Sequence, residues 1–462
     1  MPSEQSTNKT IRVGLLGAGT VGSQTARLIV EQRDELAART GAVIELAGVA
    51  CLRPEEVDAP WIDRDLLTTD TAALCEREDV DVVVELIGGL EPAHTFVKSA
   101  LSHGKSVVTA NKALLAKFGP ELYECAKNHG VDLYFEAAVA GAIPIVRPLR
   151  ESLIGDEITQ IFGIVNGTTN YILDEMTVRG LDFDSALRAA QEKGYAEADP
   201  TGDVEGFDAA NKAAILATLA FQMPVSIDDV SVEGISAITA EDIAAASAEK
   251  RVIKLLAAVE RHDESSADDG GDGVSVSVSV SVYPALVCEE HPLASVHGSF
   301  NAVFVKAKAA DDLMFYGRGA GGAPTASAVV GDVVCAARNI VRGCAGFAVP
   351  MYNKYVPAAS EKTCADFVVR CNMEDNSLAL RGEVMDVFAA HGVKAEQLAS
   401  ACEAQYAQNG GDSDCPQCGL GGPGSIRVLL RECAESEVKS ICEDLQSLDV
   451  VLGKPLVLRV IK

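Results

Sequence analysis

The chain has 462 residues, about half of them apolar and few of them aromatic. That length suits two or three domains with sizeable cores, and the composition excludes a disordered or fibrous chain. A formal net charge of −28 argues against nucleic acid or an anionic membrane as partner, since both require a basic face.

The opening stretch MPSEQSTNKTIRVG has no charged-then-apolar leader pattern, and no apolar run reaches the length of a membrane span. The expectation is a cytoplasmic enzyme whose 13 cysteines are reduced thiols. Cys415 and Cys418 form a CxxC pair. Without a second ligand pair it reads as incidental thiols in a loop.

Ile11 to Leu16 (IRVGLL) is a short apolar run leading into Gly17-Ala18-Gly19-Thr20-Val21-Gly22 and a helical stretch. GxGxxG is common by chance, but between a strand and a helix it reads as a dinucleotide fingerprint. Gly17 and Gly19 permit a tight turn and close approach to a pyrophosphate. Gly22 lets helix and strand pack, and the helix N-terminus at Thr20 and Val21 supplies donors to the anion. A Gly-rich turn in another α/β fold is the bland alternative.

The next strand, Val43 to Ala50, ends in Cys51-Leu52-Arg53. A strict NAD site places a carboxylate at that tip for the ribose hydroxyls. None is there, and Arg53 suits a 2′-phosphate, so NADP is the expected coenzyme and NAD the alternative. A strand over Val80 to Ile87 runs into Gly88-Gly89, where the nicotinamide end would meet backbone. KSVVTANKALLA then puts Asn111 and Lys112 at the corresponding next tip. Strands alternating with helices over this length predict a doubly wound, Rossmann-type parallel sheet.

Further on, GIVNGTTNYILDEM (163–176) joins a Gly-Thr-Thr turn to a helix that Thr168 or Thr169 would cap; equally, exposed hydroxyls and amides at that N-terminus suit a small polar substrate. The stretch AEADPTGDVEGFDAANKA (196–213) then crowds Glu197, Asp199, Asp203, Glu205 and Asp208 ahead of Lys212. Asp208 and Lys212 are four apart and share a helical face. A surface ion pair accounts for that spacing. So does a site that grips a substrate ammonium and keeps a lysine for proton transfer, because this helix is otherwise apolar.

Gly17–Gly22, ANKALLA (110–116), NGTTNYIL (166–173), GYAEADPTGDVEGFDAANKAAIL (194–216), HPLASVHGSFNAVFV (291–305) and GRGAGGAPTASAVVGD (317–332) together resemble homoserine dehydrogenases. The resemblance runs over about residues 11 to 350. It implies NAD(P)-dependent interconversion of L-homoserine and L-aspartate 4-semialdehyde, a branch step toward threonine and methionine. It further implies that Glu197, Asp208, Tyr195, Gly167 and Thr168 contact substrate. Lys212 and Lys112 then serve the reacting oxygen, and Asp203 is a further acidic residue of the site. Gly321 would return to the coenzyme. Glu136, with the backbone carbonyls of Val139, Gly141 and Ile143, matches a monovalent-cation site, expected to hold sodium; oxygen-only ligands suit a hard cation.

The resemblance also sets expectations for organisation. Residues 1–140, completed by about 318–350, would form the coenzyme domain, and 141–317 an α+β catalytic and dimerisation domain. VSVSVSVSV (274–282) reads as a strand with one apolar face that must be paired and covered. The acidic, Gly-rich stretch before it (262–273) reads as an exposed loop. Residues 351–462 suggest a ferredoxin-like βαββαβ unit resembling a degenerate regulatory ACT domain. Its first turn, Glu374-Asp375-Asn376-Ser377, lacks the family's Asp-x-Pro-Gly, and residues 408–424 are an insertion. A homodimer or homotetramer is expected. Aspartate-semialdehyde dehydrogenase and a nonenzymatic NADP-binding regulator are the rival readings. The first needs a cysteine nucleophile with a histidine, and the second has no use for Glu197, Asp208 and Lys212 together.

Overall fold

Three consecutive valines followed by Glu85 make a four-residue strand, Val82–Glu85, with every position buried. A run that is apolar on both faces belongs inside a parallel sheet covered on both sides. The structure, a computed structural model, describes residues 9–264, 275–346, 356–358, 363–375, 377–399 and 424–462. The Cys415/Cys418 pair, most of the 408–424 insertion and most of the acidic 262–273 stretch lie outside the described residues.

In chain order the first elements are β1 (Lys9–Leu16), α1 (Thr20–Glu31), α2 (Arg33–Thr40), β2 (Ala42–Ala50), β3 (Leu67–Thr68), α3 (Thr71–Glu76), β4 (Val82–Glu85), α4 (Ala93–Ser102), β5 (Ser106–Thr109), α5 (Lys112–His129) and β6 (Leu133–Tyr134). Next come β7 (Ile158–Ile164), α6 (Gly167–Arg179), α7 (Phe183–Glu192), α8 (Thr201–Val204), α9 (Phe207–Phe221), β8 (Ser231–Val232), α10 (Ala240–Ala248), β9 (Arg251–Glu264) and β10 (Ser275–Cys288). The chain ends through β11 (Phe300–Ala307), β12 (Asp311–Arg318), α11 (Gly322–Arg342), β13 (Val356–Ala358), β14 (Cys364–Met373), α12 (Leu378–Ala390), β15 (Ala395–Leu398), β16 (Gly424–Ala434), α13 (Glu435–Gln446) and β17 (Val451–Ile461).

By compactness the chain divides into two units, one of residues 1–159, 214–228 and 301–355, the other of 160–213, 229–300 and 356–462. The first holds a six-stranded sheet in the order β3-β2-β1-β4-β5-β6, with every pairing parallel. The order reverses between β1 and β4, and a ligand of such a sheet lies beyond the carboxyl ends at that switch point. Ile11, Val13, Leu15, Val82 and Val84 meet Ala26 and Ile29 of α1 and Val329, Val333 and Ala336 of α11 in one core.

In the second unit the strands run β7-β9-β10-β17-β14-β16-β15. The serine–valine strand is the middle of this sheet. It pairs antiparallel with β9 and parallel with β8, β13 and β17. Val278, Val280 and Val282 are buried as their spacing predicts, but Ser279 and Ser281 on the opposite face are buried too. The strand is covered on both faces, and Ser279 meets its polar requirement through His262 Nε2 at 2.8 Å. The last hundred residues follow the order β14-α12-β15-β16-α13-β17, with β14 flanked by β16 and β17 in antiparallel register. That is the expected βαββαβ unit, and Phe367, Val369, Phe388, Val428, Ile441 and Leu445 fill its core.

Candidate active site

At the carboxyl end of β1 the fingerprint behaves as its glycines require. Gly17 has φ +102°, and a Cβ there would lie 2.8 Å from the Leu86 carbonyl oxygen. A Cβ on Gly22 would lie 1.9 Å from the Gly17 oxygen, so only glycine lets α1 start against this turn. A Cβ on Gly19 would meet nothing within 4 Å. Open space beside a helix N-terminus is where a pyrophosphate fits. Thr20 and Val21 open α1 there, and Gly322 is pressed so close that its Cβ would touch Thr20 at 3.0 Å. Gly321, with φ +125°, caps α11 at this contact, so the second Gly-rich loop does return to the fingerprint. Arg53, past the end of β2, is exposed and pairs with Glu56 at 3.0 Å.

The Gly88-Gly89 turn beyond β4 takes positive φ at both residues, +73° and +72°. Glu85 and Asn111 hold it. The buried Glu85 carboxylate accepts from the amides of Ile87 and Gly88, each at 2.9 Å. Asn111 donates its Nδ2 to the Gly89 carbonyl at 2.6 Å, and its Oδ1 accepts from Leu114 N, capping α5. Lys112, half-buried, is the first residue of that helix. Sequence reasoning found Lys112 and both glycines but missed Glu85, whose clue was a carboxylate ending an all-valine strand.

In the second unit α6, the 195–208 segment and α9 converge on one polar cluster. Lys212, buried, donates to Asp208 Oδ2 at 2.6 Å and to the Val165 carbonyl at 2.7 Å. Asn166 donates through one Nδ2 to Asp208 at 2.8 Å and to Asp203 at 2.7 Å. Its Oδ1 accepts from Thr169 N, so Asn166 caps α6 and neither Thr168 nor Thr169 does. The threonines were the expected caps; the asparagine wins because it stands one residue before the first helical position, Gly167. Thr168 instead donates to the Tyr195 carbonyl at 2.7 Å, tying the acidic segment to α6, and the Tyr171 and Tyr195 rings meet edge-on. Glu197 is exposed, and its carbonyl is held by Gln191. Asp199 is spent on its own turn, accepting from Thr201. An i,i+4 pair this buried is more than a solvated surface pair: the ions meet each other, and Asn166 supports Asp208 while the Val165 carbonyl supports Lys212.

The expected cation residues lie back in the first unit. Glu136 is buried and its carboxylate accepts from the Val146 and Arg147 amides at 2.8 and 2.9 Å. Its own amide donates to Asp332, which Arg147 meets at 2.5 Å. Burial raises the Glu136 carboxyl above its usual range, against the pull of those amides and of Arg147. Val139, Gly141 and Ile143 follow in a turn with positive φ at Ala140 and Gly141, closed by Ala142 N donating to the Arg318 carbonyl. No group of three or more His, Cys, Asp or Glu side chains suited to a metal occurs among the described residues, and no helix there is long and apolar enough to cross a membrane.

Comparison with known proteins matches residues 17–136 to the homoserine dehydrogenase NAD-binding domain and residues 144–334 to the homoserine dehydrogenase family itself. The homoserine dehydrogenase of Mycobacterium leprae is 47% identical over 457 residues, 98% of each chain, and that of Corynebacterium glutamicum 51% over 386 residues, 83% of this chain and 84% of that one. Among solved structures, a homoserine dehydrogenase from Thiobacillus denitrificans superposes with a TM-score of 0.85 at 34% identity, covering 98% of this chain and 99% of that one. A hyperthermophilic archaeal homoserine dehydrogenase mutant in complex with NADPH gives 0.58 at 27% identity over 71% of this chain and 97% of that one. With a nucleotide turn on a parallel sheet, a buried carboxylate–lysine cluster and relatives matched over nearly its whole length, the chain belongs to the homoserine dehydrogenase family of NAD(P)-dependent oxidoreductases.

Proposed function

We propose that the chain interconverts L-aspartate 4-semialdehyde and L-homoserine, with NADP preferred over NAD. The observation that carries this reading is the buried Asp208–Lys212 pair joined through Asn166 to Asp203. A lysine aimed by a carboxylate suits a group that protonates a carbonyl oxygen as it becomes an alcohol. The coenzyme supplies the hydride. Lys212 holds the proton for the oxygen, and Lys112 is the second ammonium toward it. Glu197, Asp208 and Asp203 supply the negative charge that holds the substrate's ammonium, with Gly167, Thr168 and Tyr195 bordering it. Gly17, Gly19, Thr20, Val21, Gly22, Gly88 and Gly321 would carry the coenzyme, and Arg53 would exchange Glu56 for a 2′-phosphate.

The cation site fits a backbone cradle better than a carboxylate one. Both Glu136 oxygens already accept amides, so the carbonyls of Val139, Gly141 and Ile143 would be the main ligands for sodium. Functionally we divide the chain into a coenzyme domain (1–140 with 318–350), a catalytic and dimerisation domain (141–317) and a degenerate ACT-like domain (351–462). The βαββαβ order supports the last. The departure from Asp-x-Pro-Gly at Glu374–Ser377 weakens the case for threonine inhibition through this domain and leaves a purely assembling role beside it. A cytoplasmic homodimer or homotetramer completes the reading.

The test follows the absorbance of reduced nicotinamide with purified protein and L-aspartate 4-semialdehyde. Wild type should oxidise NADPH faster than NADH, and Lys212→Ala should lose at least about 100-fold in kcat. A folded wild type that binds NADPH but turns nothing over overturns the proposal and leaves the nonenzymatic regulator.

A further inference from the structure

Glu85 is fully buried at the carboxyl end of β4, and three donors surround it. Beyond the Ile87 and Gly88 amides on Oε1, Thr109 Oγ1 donates to Oε2 at 2.6 Å. The Thr109 oxygen itself accepts from Asn111 N at 3.0 Å, so its one proton is committed to Glu85. Every contact therefore donates to the carboxyl group, which acts only as an acceptor. Among the described residues no Lys, Arg or His forms an ion pair with it. A buried anion without a counter-cation is costly unless something cationic is brought to it.

The place of this charge suggests what that is. In register β4 ends with Glu85 beside Leu16 of β1, at the strand pair where the sheet order reverses. The Gly88-Gly89 turn it braces is the backbone beyond that end. Of the two coenzyme forms, only the oxidised one has a positively charged nicotinamide ring. We propose that Glu85 is a positioning and specificity residue: it fixes the Gly88-Gly89 turn, and its charge favours the oxidised coenzyme over the reduced one. Thr109 and Asn111 extend the same brace to the start of α5, and so to Lys112. The inference rests on the nicotinamide reading above.

The experiment measures Kd for NADP+ and NADPH by calorimetry on wild type, Glu85→Gln and Thr109→Val, with circular dichroism to confirm folding. Glu85→Gln keeps the shape and removes the charge, and should raise the ratio Kd(NADP+)/Kd(NADPH) by roughly tenfold. Thr109→Val keeps the charge and loosens the brace, and should weaken both forms alike. A Glu85→Gln variant whose two affinities fall equally, or not at all, overturns the proposal. If that variant does not fold, Glu85→Asp decides. It retains the charge with a shorter reach, so both affinities should fall with the ratio within about twofold of wild type, and a larger change in ratio overturns the proposal. A wild type that binds neither coenzyme refutes the nicotinamide reading instead, before the variants are compared.

Discussion

Asn166 does more than any single residue of the acidic cluster, because its side chain serves α6, Asp203 and Asp208 together. Replacing it by alanine removes a helix cap, worth about 1 kcal/mol, and leaves two part-buried carboxylates short of a donor. Asn166→Ala should lower the unfolding free energy by roughly 2 kcal/mol in urea titrations. It should also raise KM for the semialdehyde, because Asp203 and Asp208, which hold the substrate's ammonium, are no longer positioned. Unchanged KM in a folded variant would mean that the cluster is structural. This residue was half legible in the sequence. NGTT before an apolar helix announces a cap, but the two contacts on Nδ2 come from residues 37 and 42 positions away, and no local pattern reports them.

Among the elements, β9 is pinned to α6 by a lysine. Lys254 is buried, donating to Asn170 Oδ1 at 3.1 Å and the Val296 carbonyl at 2.6 Å, while Asn170 holds the carbonyls of Val296, Gly298 and Phe300. This is what the HPLASVHGSFN stretch is for: its backbone turns around one asparagine. Burial lowers the Lys254 pKa from 10.5 to about 8, with Asp174 pulling the other way. Below the folded value both states hold the proton, and the full burial penalty applies. Between about 8 and 10.5 the unfolded chain holds a proton that the folded one has released, so stability rises with pH across that window. Relative to Lys254→Met, wild type should gain up to about 3 kcal/mol of unfolding free energy over it. Chemical denaturation at several pH values checks this, and parallel pH profiles for the two proteins would refute it.

Arg147 plays the comparable part between the turn after β6 and α11. It is 2.5 Å from Asp332 and 4.0 Å from Glu136, and both acids are buried. Burial and the neighbouring Glu136 push Asp332 up to about 7, while Arg147 and the Glu136 amide pull it down. Arg147→Met would leave two buried carboxyls without a cation, and should cost roughly 3–5 kcal/mol, read as a lower Tm. A variant as stable as wild type would show that the acids protonate at little cost.

On the scale of the whole molecule, much of the fold could be read before any coordinates. Alternating apolar runs and helical stretches predicted the parallel sheet, and the succession of segments in the last hundred residues suggested βαββαβ. These are local properties: a strand buried on both faces must be apolar throughout, and a dinucleotide turn must use glycine where a Cβ would strike backbone. The charge of −28 set the expectation against nucleic acid or an anionic membrane for an equally general reason. Tertiary structure decided what depends on residues far apart in the chain. It set β17 beside β10 in parallel register, buried the serine face of a strand whose pattern promised one apolar face, and joined segments 160–213, 229–300 and 356–462 into one compact unit. The Asp208–Lys212 pair was already legible from its i,i+4 spacing, but its burial and its link through Asn166 to Asp203 were not. Both arise only when α6, α9 and the segment between them are packed together.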